Sequence, residues 1–510
     1  MIYKYLKVII VFLVSFGSSL SLFSQKERII DNRSDYIIYD QKKGPNVKKL
    51  MGNVAFQDST TTMFCDSAYF YDNKDIDAYG NVRIYPDKGN TKLTGKVLHY
   101  KFETRIADIQ EDVVLVDEKA TLRTAAIYYD MNTSVGYYPN KGVITSEKNV
   151  IVSKSGSYNK NLRTFFFKDS VTVTNPSYLI ETDTMNYVTY SKVVEFQGPT
   201  LITSKEDSIY CEKGWYDTNT DISSFRKNAW LKGDGKIIKG DTLYYEKRIG
   251  LGKGFGNVEV WDTTQNVIIR GNLATVNRKN QTAIVTKRAL LIQVDKKDSL
   301  FMHADTIRTG IFTELRKDSS AVDTFKFARA YHHVKFFRPD LQGKCDSMHY
   351  SFRDSTMEFI GTPVLWTEKT QLTAHYIKAY IKNQRIDKMD MNNMAFIVSQ
   401  VDTAHFDQIK GRNMTAFFNN NELYKMIVKG NGQSIYFPLD RGEIQGTDKN
   451  ESSDIVIYFK NRTLDRITYI NSVNGVMYPP DELSGADLFL KDFKWHADKR
   501  PHKWTDIFNW

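Results

Sequence analysis

The fold class this sequence predicts is all-β. It reads as an elongated β-jellyroll or solenoid of about 12–13 stacked repeats of about 29 residues, with antiparallel strands in two facing sheets. Three observations carry that reading. Aromatics reach 13%, with 30 Tyr and 30 Phe, while Gly (29) and Pro (11) are sparse, a strand-favouring balance too apolar for disorder. One short phrase recurs along most of the chain. No helical periodicity of useful length precedes residue 478.

At the N-terminus, Lys4 and Lys7 precede the apolar run Val8 to Phe16 and the small residues Gly17, Ser18, Ser19 and Ser21. This reads as a signal peptide over residues 1–24, cut between Ser24 and Gln25. The run is short for a membrane span, and an uncleaved anchor is the alternative. No cysteine lies near the cut, which argues against a lipoprotein anchor there. Residues 25–48 form a lead-in, 49–475 the repeated array, and 476–510 an aromatic tail holding Trp495, Trp504 and Trp510. The tail fits a cap over the last repeat or a docking segment for a membrane partner. The net charge of +10 is scattered, so nucleic acid is not indicated, although a polyanionic ligand such as a phosphorylated glycolipid is compatible.

The repeated phrase is an aliphatic residue, a small residue, a polar residue (usually Asp), then an apolar and an aromatic residue. Copies include Met63-x-Cys65-Asp66, Ile180-x-Thr182-Asp183-x-Met185-x-Tyr187, Ile209-x-Cys211-Glu212 and Ile238-x-Gly240-Asp241-x-Leu243-x-Tyr245. Leu93, Leu122 and Ile269 open weaker copies without the acid, and Asp454 begins a degenerate last one. The polar position falls at residues 66, 96, 125, 156, 183, 212, 241, 272, 305, 346, 375 and 412, mostly within two residues of a 29-residue step. The long ninth step contains an insertion near 310–324 that reads as a surface loop. About 17 residues after each polar position comes a turn and an alternating strand: Gly80-Asn81-Val82-Arg83-Ile84, Glu111-Asp112-Val113-Val114-Leu115, Asp169-Ser170-Val171-Thr172-Val173, Gly256-Asn257-Val258-Glu259-Val260. Inward positions in the first phrase lie three and one residues before the polar residue, then two and four after it. A strand breaks its period of two that way only at a bulge or corner, so the chain bends at each Asp between two sheets.

Repetition argues against chemistry. Like carboxylates in a row are corner fittings that accept backbone N–H groups, whereas an active site needs unlike groups that converge. Cys65, Cys211 and Cys345 all occupy the small column, several repeats apart, and read as buried fillers beyond disulfide reach. Cys345 and His349 fall on opposite faces and no other ligand pair has metal spacing, so neither a metal nor another cofactor is expected. The glycine-rich stretch Gly250–Gly256 lacks the dinucleotide spacing and is followed by a strand, so it reads as an inter-phrase turn. No nucleophile-elbow motif occurs, and the chain is not read as an enzyme. The inward columns form either a core packed shut by its own side chains or an incompletely filled interior that accepts acyl chains. Sequence leaves both open.

The small-Asp-x-apolar-x-aromatic phrase followed by Gly-Asn-Val and an alternating strand resembles the LptA/OstA-like family of lipopolysaccharide export. It looks most like the long OstA-like branch from Bacteroidetes-type bacteria, over roughly Lys49 to Phe437. The resemblance implies a twisted β-jellyroll in the periplasm that shields lipid A acyl chains and stacks with other jellyroll components of the export system, or end to end with itself. It also implies outer-membrane association. Carried over, the lipid-facing candidates are Val82, Ile84, Leu93, Leu98, Val113, Leu115, Leu122, Ile127, Val171, Val173, Ile180, Met185, Ile209, Ile238, Leu243, Val258, Val260 and Ile269. The chain departs from short bridge proteins in its many repeats and lacks the outer-membrane barrel of the translocon subunit. The alternative class is an exported β-solenoid that binds or cleaves polysaccharide; a purely structural envelope protein would need a sealed core.

Overall fold

The computed structural model describes residues 30–510 apart from 59–60, 87–90, 118–119, 234, 265, 296–297, 316–321, 384, 420–421, 461–462 and 481. The signal peptide expected over residues 1–24 lies outside the described residues. Every regular element among the described residues is a β-strand, apart from three short 3-10 turns in the tail. The strand pairings are antiparallel, and successive long strands pair in chain order. The chain divides into two compact units, Met1–Asn132 and Thr133–Trp510.

Within the first unit, strands Lys48–Gln57, Thr62–Phe70, Ile76–Tyr85, Lys92–Lys101, Ile106–Asp117 and Ala120–Asp130 follow one another as a meander. The lead-in is already sheet, because Asp31–Arg33 and Tyr36–Tyr39 both pair with Lys48–Gln57. Each long strand is bent in its middle. In Ile76–Tyr85, Tyr79 faces Ser67 and Arg83 faces Phe64, so one extra residue is accommodated between those pairs. Gly80 and Asn81 fill that place with φ of 76° and 42°. A Cβ at Gly80 would sit 2.4 Å from Asp66 Oδ2, so the backbone approaches the carboxylate closely enough to require glycine. Asn81 Nδ2 donates to the same oxygen at 2.9 Å.

That corner corrects one expectation and refines another. Gly-Asn does not sit at a hairpin turn; it forms a bulge inside a strand, for which the same left-handed residues are needed. The acid column does sit at the corner, but its partners are mostly side chains of the bulged strand. Asn53 donates to Asp35 at 2.9 Å, Asn228 to Glu212 at 2.6 Å and Asn257 to Asp241 at 3.0 Å. His333 pairs with Asp305 at 2.8 Å, and in the last copy a backbone N–H, that of Gly430, reaches the acid, Asp454, at 3.1 Å.

In the second unit the same bent strands continue from Thr164–Asn175 through Thr447–Lys460. At some corners the strand breaks outright: Thr356–Ile360 and Val364–Thr367 both pair with Leu341–Ser351. Bending gives each strand two halves and the sheet two jaws. One, here the aliphatic jaw, carries the residues before the acid; the other, the aromatic jaw, carries the apolar and aromatic residues after it. The jaws face one another, with Phe56 5.8 Å from Phe70 in the first unit and Phe336 5.9 Å from Phe359 in the second.

Two further expectations change. The insertion near 310–324 is a lengthened hairpin rather than a loop: Leu300–Leu315 and Val322–Arg338 stay paired from Gly310–Phe327 out to Leu315–Val322. The glycine-rich stretch is strand too, since Leu251–Asp262 begins within it and the turn is Lys247–Gly250. After strand Asn474–Tyr478, the tail is no cap at the end of the stack. It runs as a strap across the outer face of the aliphatic jaw. Leu490, Phe489, Phe493 and Trp495 pack on Phe396, Val398, Phe406, Ile435 and Phe437, and Ile507 and Phe508 on Leu290 and Ile292.

Candidate functional site

The inward columns line up across strands as continuous ladders. On the aliphatic jaw of the second unit the register runs Ile144, Ile151, Val173, Ile180, Ile202, Ile209, Leu231, Ile238, Val260, Ile269, Leu291, Met302 and Phe336, each the cross-strand partner of the next. Burial along this ladder is uneven. Ile144 (0%) to Ile180 (5%) are sealed, as are Met302 (5%) and Phe336 (4%). The seven rungs between, Ile202 to Leu291, are only half-buried. At ~4.8 Å per strand those rungs extend over about 29 Å.

The opposite jaw explains the change. In the sealed part its inward residues are Tyr158, Phe165 and Phe167, all fully buried. Across from the half-buried rungs the column becomes Val194, Tyr216, Ser223, Tyr245, Gly252, Val276 and Ala283, again successive cross-strand partners. Gly254 and Ala274 add two more small residues beside the corner. Ser, Gly and Ala cannot reach across the gap, so the aliphatic rungs are only partly covered, Val260, Ile269 and Leu291 still packing on the core beside the corner, and the interior becomes an apolar trough. A Cβ built on Gly252 meets nothing closer than 3.8 Å, which shows the room there. Two tyrosines edge the trough on the aromatic jaw. Tyr216 donates to Asp221 at 2.7 Å, and burial together with that carboxylate raises its pKa.

The structure places the sequence candidates in three groups. Ile209, Ile238, Val260 and Ile269 are rungs of the open trough. Val171, Val173, Ile180, Met185, Leu243 and Val258 face inward but are buried, at 9% exposure or less, by neighbouring side chains. Val82, Ile84, Leu93, Leu98, Val113, Leu115, Leu122 and Ile127 lie in the first unit at 1% or less. That interior leaves a cavity of about 40 Å³ lined by residues such as Phe56, Met63, Ile84, Leu98 and Tyr100. It has room for little more than water.

Sequence reasoning missed Leu231, Ile202 and Leu291 as rungs, and missed the small residues opposite them. The signal was present: Gly252 and Gly254 share the inward parity that ends at Val258, but a glycine-rich run reads more readily as a turn. Cys65, Cys211 and Cys345 are free and buried, and burial, for Cys65 with help from Asp66, pushes each thiol up to about 12. They are packing residues. Among the described residues no three His, Cys, Asp or Glu side chains converge as a metal site would require.

No curated protein matches the chain. Residues 26–183, which carry the opening repeats of the jellyroll, match the family model of the OstA-like proteins.

Proposed function

We propose that this protein is an exported lipid carrier that moves lipopolysaccharide toward the outer membrane, shielding its acyl chains between the two jaws. The OstA-like family is one of lipid transport and binding in the periplasm, and the match of the opening repeats to it supports the reading. The observation that carries it is the half-buried ladder from Ile202 to Leu291 opposite Ser223, Gly252 and Ala283. Burying alkyl surface there returns about 0.8 kcal/mol per CH₂, so ten methylenes supply about 8 kcal/mol before ordering costs. Lipid moves along the ladder by exchange, with the driving force applied elsewhere. The outermost strand Tyr36–Tyr39 exposes all four of its residues and pairs only with Lys48–Gln57 among the described residues, an edge suited to strand addition by another jellyroll component.

A photoreactive residue placed at Ile238 or Val260 in cells tests this. The expected result is a lipopolysaccharide adduct at both positions and none at their outward neighbours Lys239 and Trp261. Silence at both inward positions, or equal labelling inside and out, would contradict it.

A further inference from the structure

The mouth of the trough, where the free ends of the jaws meet, is crossed by ion pairs. Lys192, in the turn before strand Val193–Ser204 on the aromatic rim, reaches Glu147 on the aliphatic rim at 3.1 Å. Arg278, three turns further along the aromatic rim, reaches Asp207 on the aliphatic rim at 3.5 Å. The turns bearing Lys192 and Arg278 bracket the six strands that carry the half-buried rungs Ile202 to Ile269. Exposed pairs of this kind contribute about 0.2–1 kcal/mol, far less than a buried alkyl chain, so they hold the mouth without locking it. The Arg278 pair is loosely made. Its distance is at the outer limit for a hydrogen bond, and Asp207 Oδ1 is buried with no hydrogen-bond partner.

Between those pairs the aromatic rim is basic. Its turns present Lys247 and Arg248, then Arg278 and Lys279, all exposed and about 10 Å apart from turn to turn. The acids on the same rim are already engaged. Asp217 accepts the N–H groups of Asn219 at 2.8 Å and Thr220 at 3.2 Å. Asp221 takes the Tyr216 hydroxyl and lies 3.6 Å from Arg248, and Glu246 takes the Tyr244 hydroxyl at 2.8 Å. On the aliphatic rim opposite, Lys205 and Lys236 stand with Glu206, Asp207 and Asp262. The aromatic rim is therefore left with a small positive surplus beside an apolar trough, and Ile249 (48% exposed) stands at the tip of the Lys247–Arg248 turn.

We infer that this stretch of rim is a headgroup site: Lys247, Arg248 and Lys279 hold a phosphate of an anionic amphiphile whose chains lie on the ladder from Ile202 to Leu291. The inference rests on the lipid-carrier reading and adds to it where along the mouth the ligand enters and which of its groups is recognised. An arriving phosphate competes with Asp207 for Arg278, so loading and opening are one event.

The test compares binding of purified chain to phosphorylated lipid A and to its dephosphorylated form, in low and high salt, with inorganic phosphate alone as a third probe. The unaltered protein is expected to prefer the phosphorylated lipid by about tenfold, with salt erasing the preference. Lys247→Glu with Lys279→Glu should abolish the preference. Lys213→Glu with Lys232→Glu, an equal charge change on the outer surface, should leave the preference in place. Retention of the preference in the rim variant, its loss in the outer control, or binding of inorganic phosphate alone as tightly as the phosphorylated lipid would overturn the headgroup site. Equal binding of both lipids by the unaltered protein would sink the site and spare the carrier reading; binding of neither would sink both.

Discussion

Two consecutive residues in left-handed backbone mark almost every corner, and most of them are not glycine. Lys227-Asn228, Lys287-Arg288, His332-His333 and Asn471-Ser472 all have φ between 52° and 64°. Each non-glycine residue there costs about 1 kcal/mol or more, which the surrounding ladder and the acid opposite must offset. Gly-Asn suits this place and a hairpin turn equally, which is why the sequence shows that something bends but not where in the strand it lies. A different strain sits at Asp407, whose Oδ1 accepts the Phe437 N–H at 2.9 Å while burial pushes its carboxyl pKa up to about 6. Its folded pKa lies above the unfolded value, so between about pH 4 and 6 the native state keeps a proton that the unfolded chain has lost. Stability is therefore lost as pH rises through that window. Asp407→Asn keeps the acceptor and removes the charge. It should match the parent near pH 4 and exceed it by about 2 kcal/mol near pH 7.5, read by denaturant unfolding at both pH values. An identical difference at the two pH values would contradict the assignment.

The strap is the element the sequence disclosed least. Its aromatic content was legible, but its path was not, because what receives it is a set of buried polar side chains scattered through the array. Gln408, fully buried, donates to Leu488 O and accepts from Leu490 N, both at 2.8 Å. Gln371 repeats the arrangement with Lys494 O at 2.7 Å and His496 N at 2.8 Å, and Gln342 accepts from Arg500 at 2.9 Å. Each amide serves the strap as a neighbouring strand would. Lys335, buried beneath the end of the strap, donates to Asn509 O, and burial lowers its ammonium pKa. Trp504 stacks on Phe301 at 5.4 Å and Trp510 lies edge-on to His333 at 4.9 Å. Ile507, 1% exposed, is the anchor against Leu290 and Ile292. Ile507→Ala should weaken docking of the last turn by about 2 kcal/mol, a factor of about 30. Limited proteolysis with trypsin should then cut at Lys499 or Lys503 faster by about that factor while the strands keep their amide protection. An unchanged cutting rate would show that the anchor lies elsewhere.

At the scale of the molecule, periodicity revealed the strand pairing, the two jaws and the inward parity of each lipid-facing candidate. The reason is physical: a period of two, interrupted at a fixed place every 29 residues or so, leaves few ways to fold. Which part of the interior stays open was not legible, because it depends on the sum of side-chain volumes across the gap. Tyr158 and Phe165 close it; Ser223, Gly252 and Ala283 do not. Ile180 and Ile202 carry the same residue in the same column on adjacent strands, yet one is sealed and the next half-exposed. The central claim is that this unfilled volume is where acyl chains lie. Gly252→Trp fills it from the aromatic jaw, where a side chain has space to enter. The deciding measurement is the affinity of the purified chain for lipopolysaccharide before and after that change, alongside its melting temperature. The account predicts a loss of about tenfold or more with melting unchanged; unaltered affinity with the trough filled would contradict it.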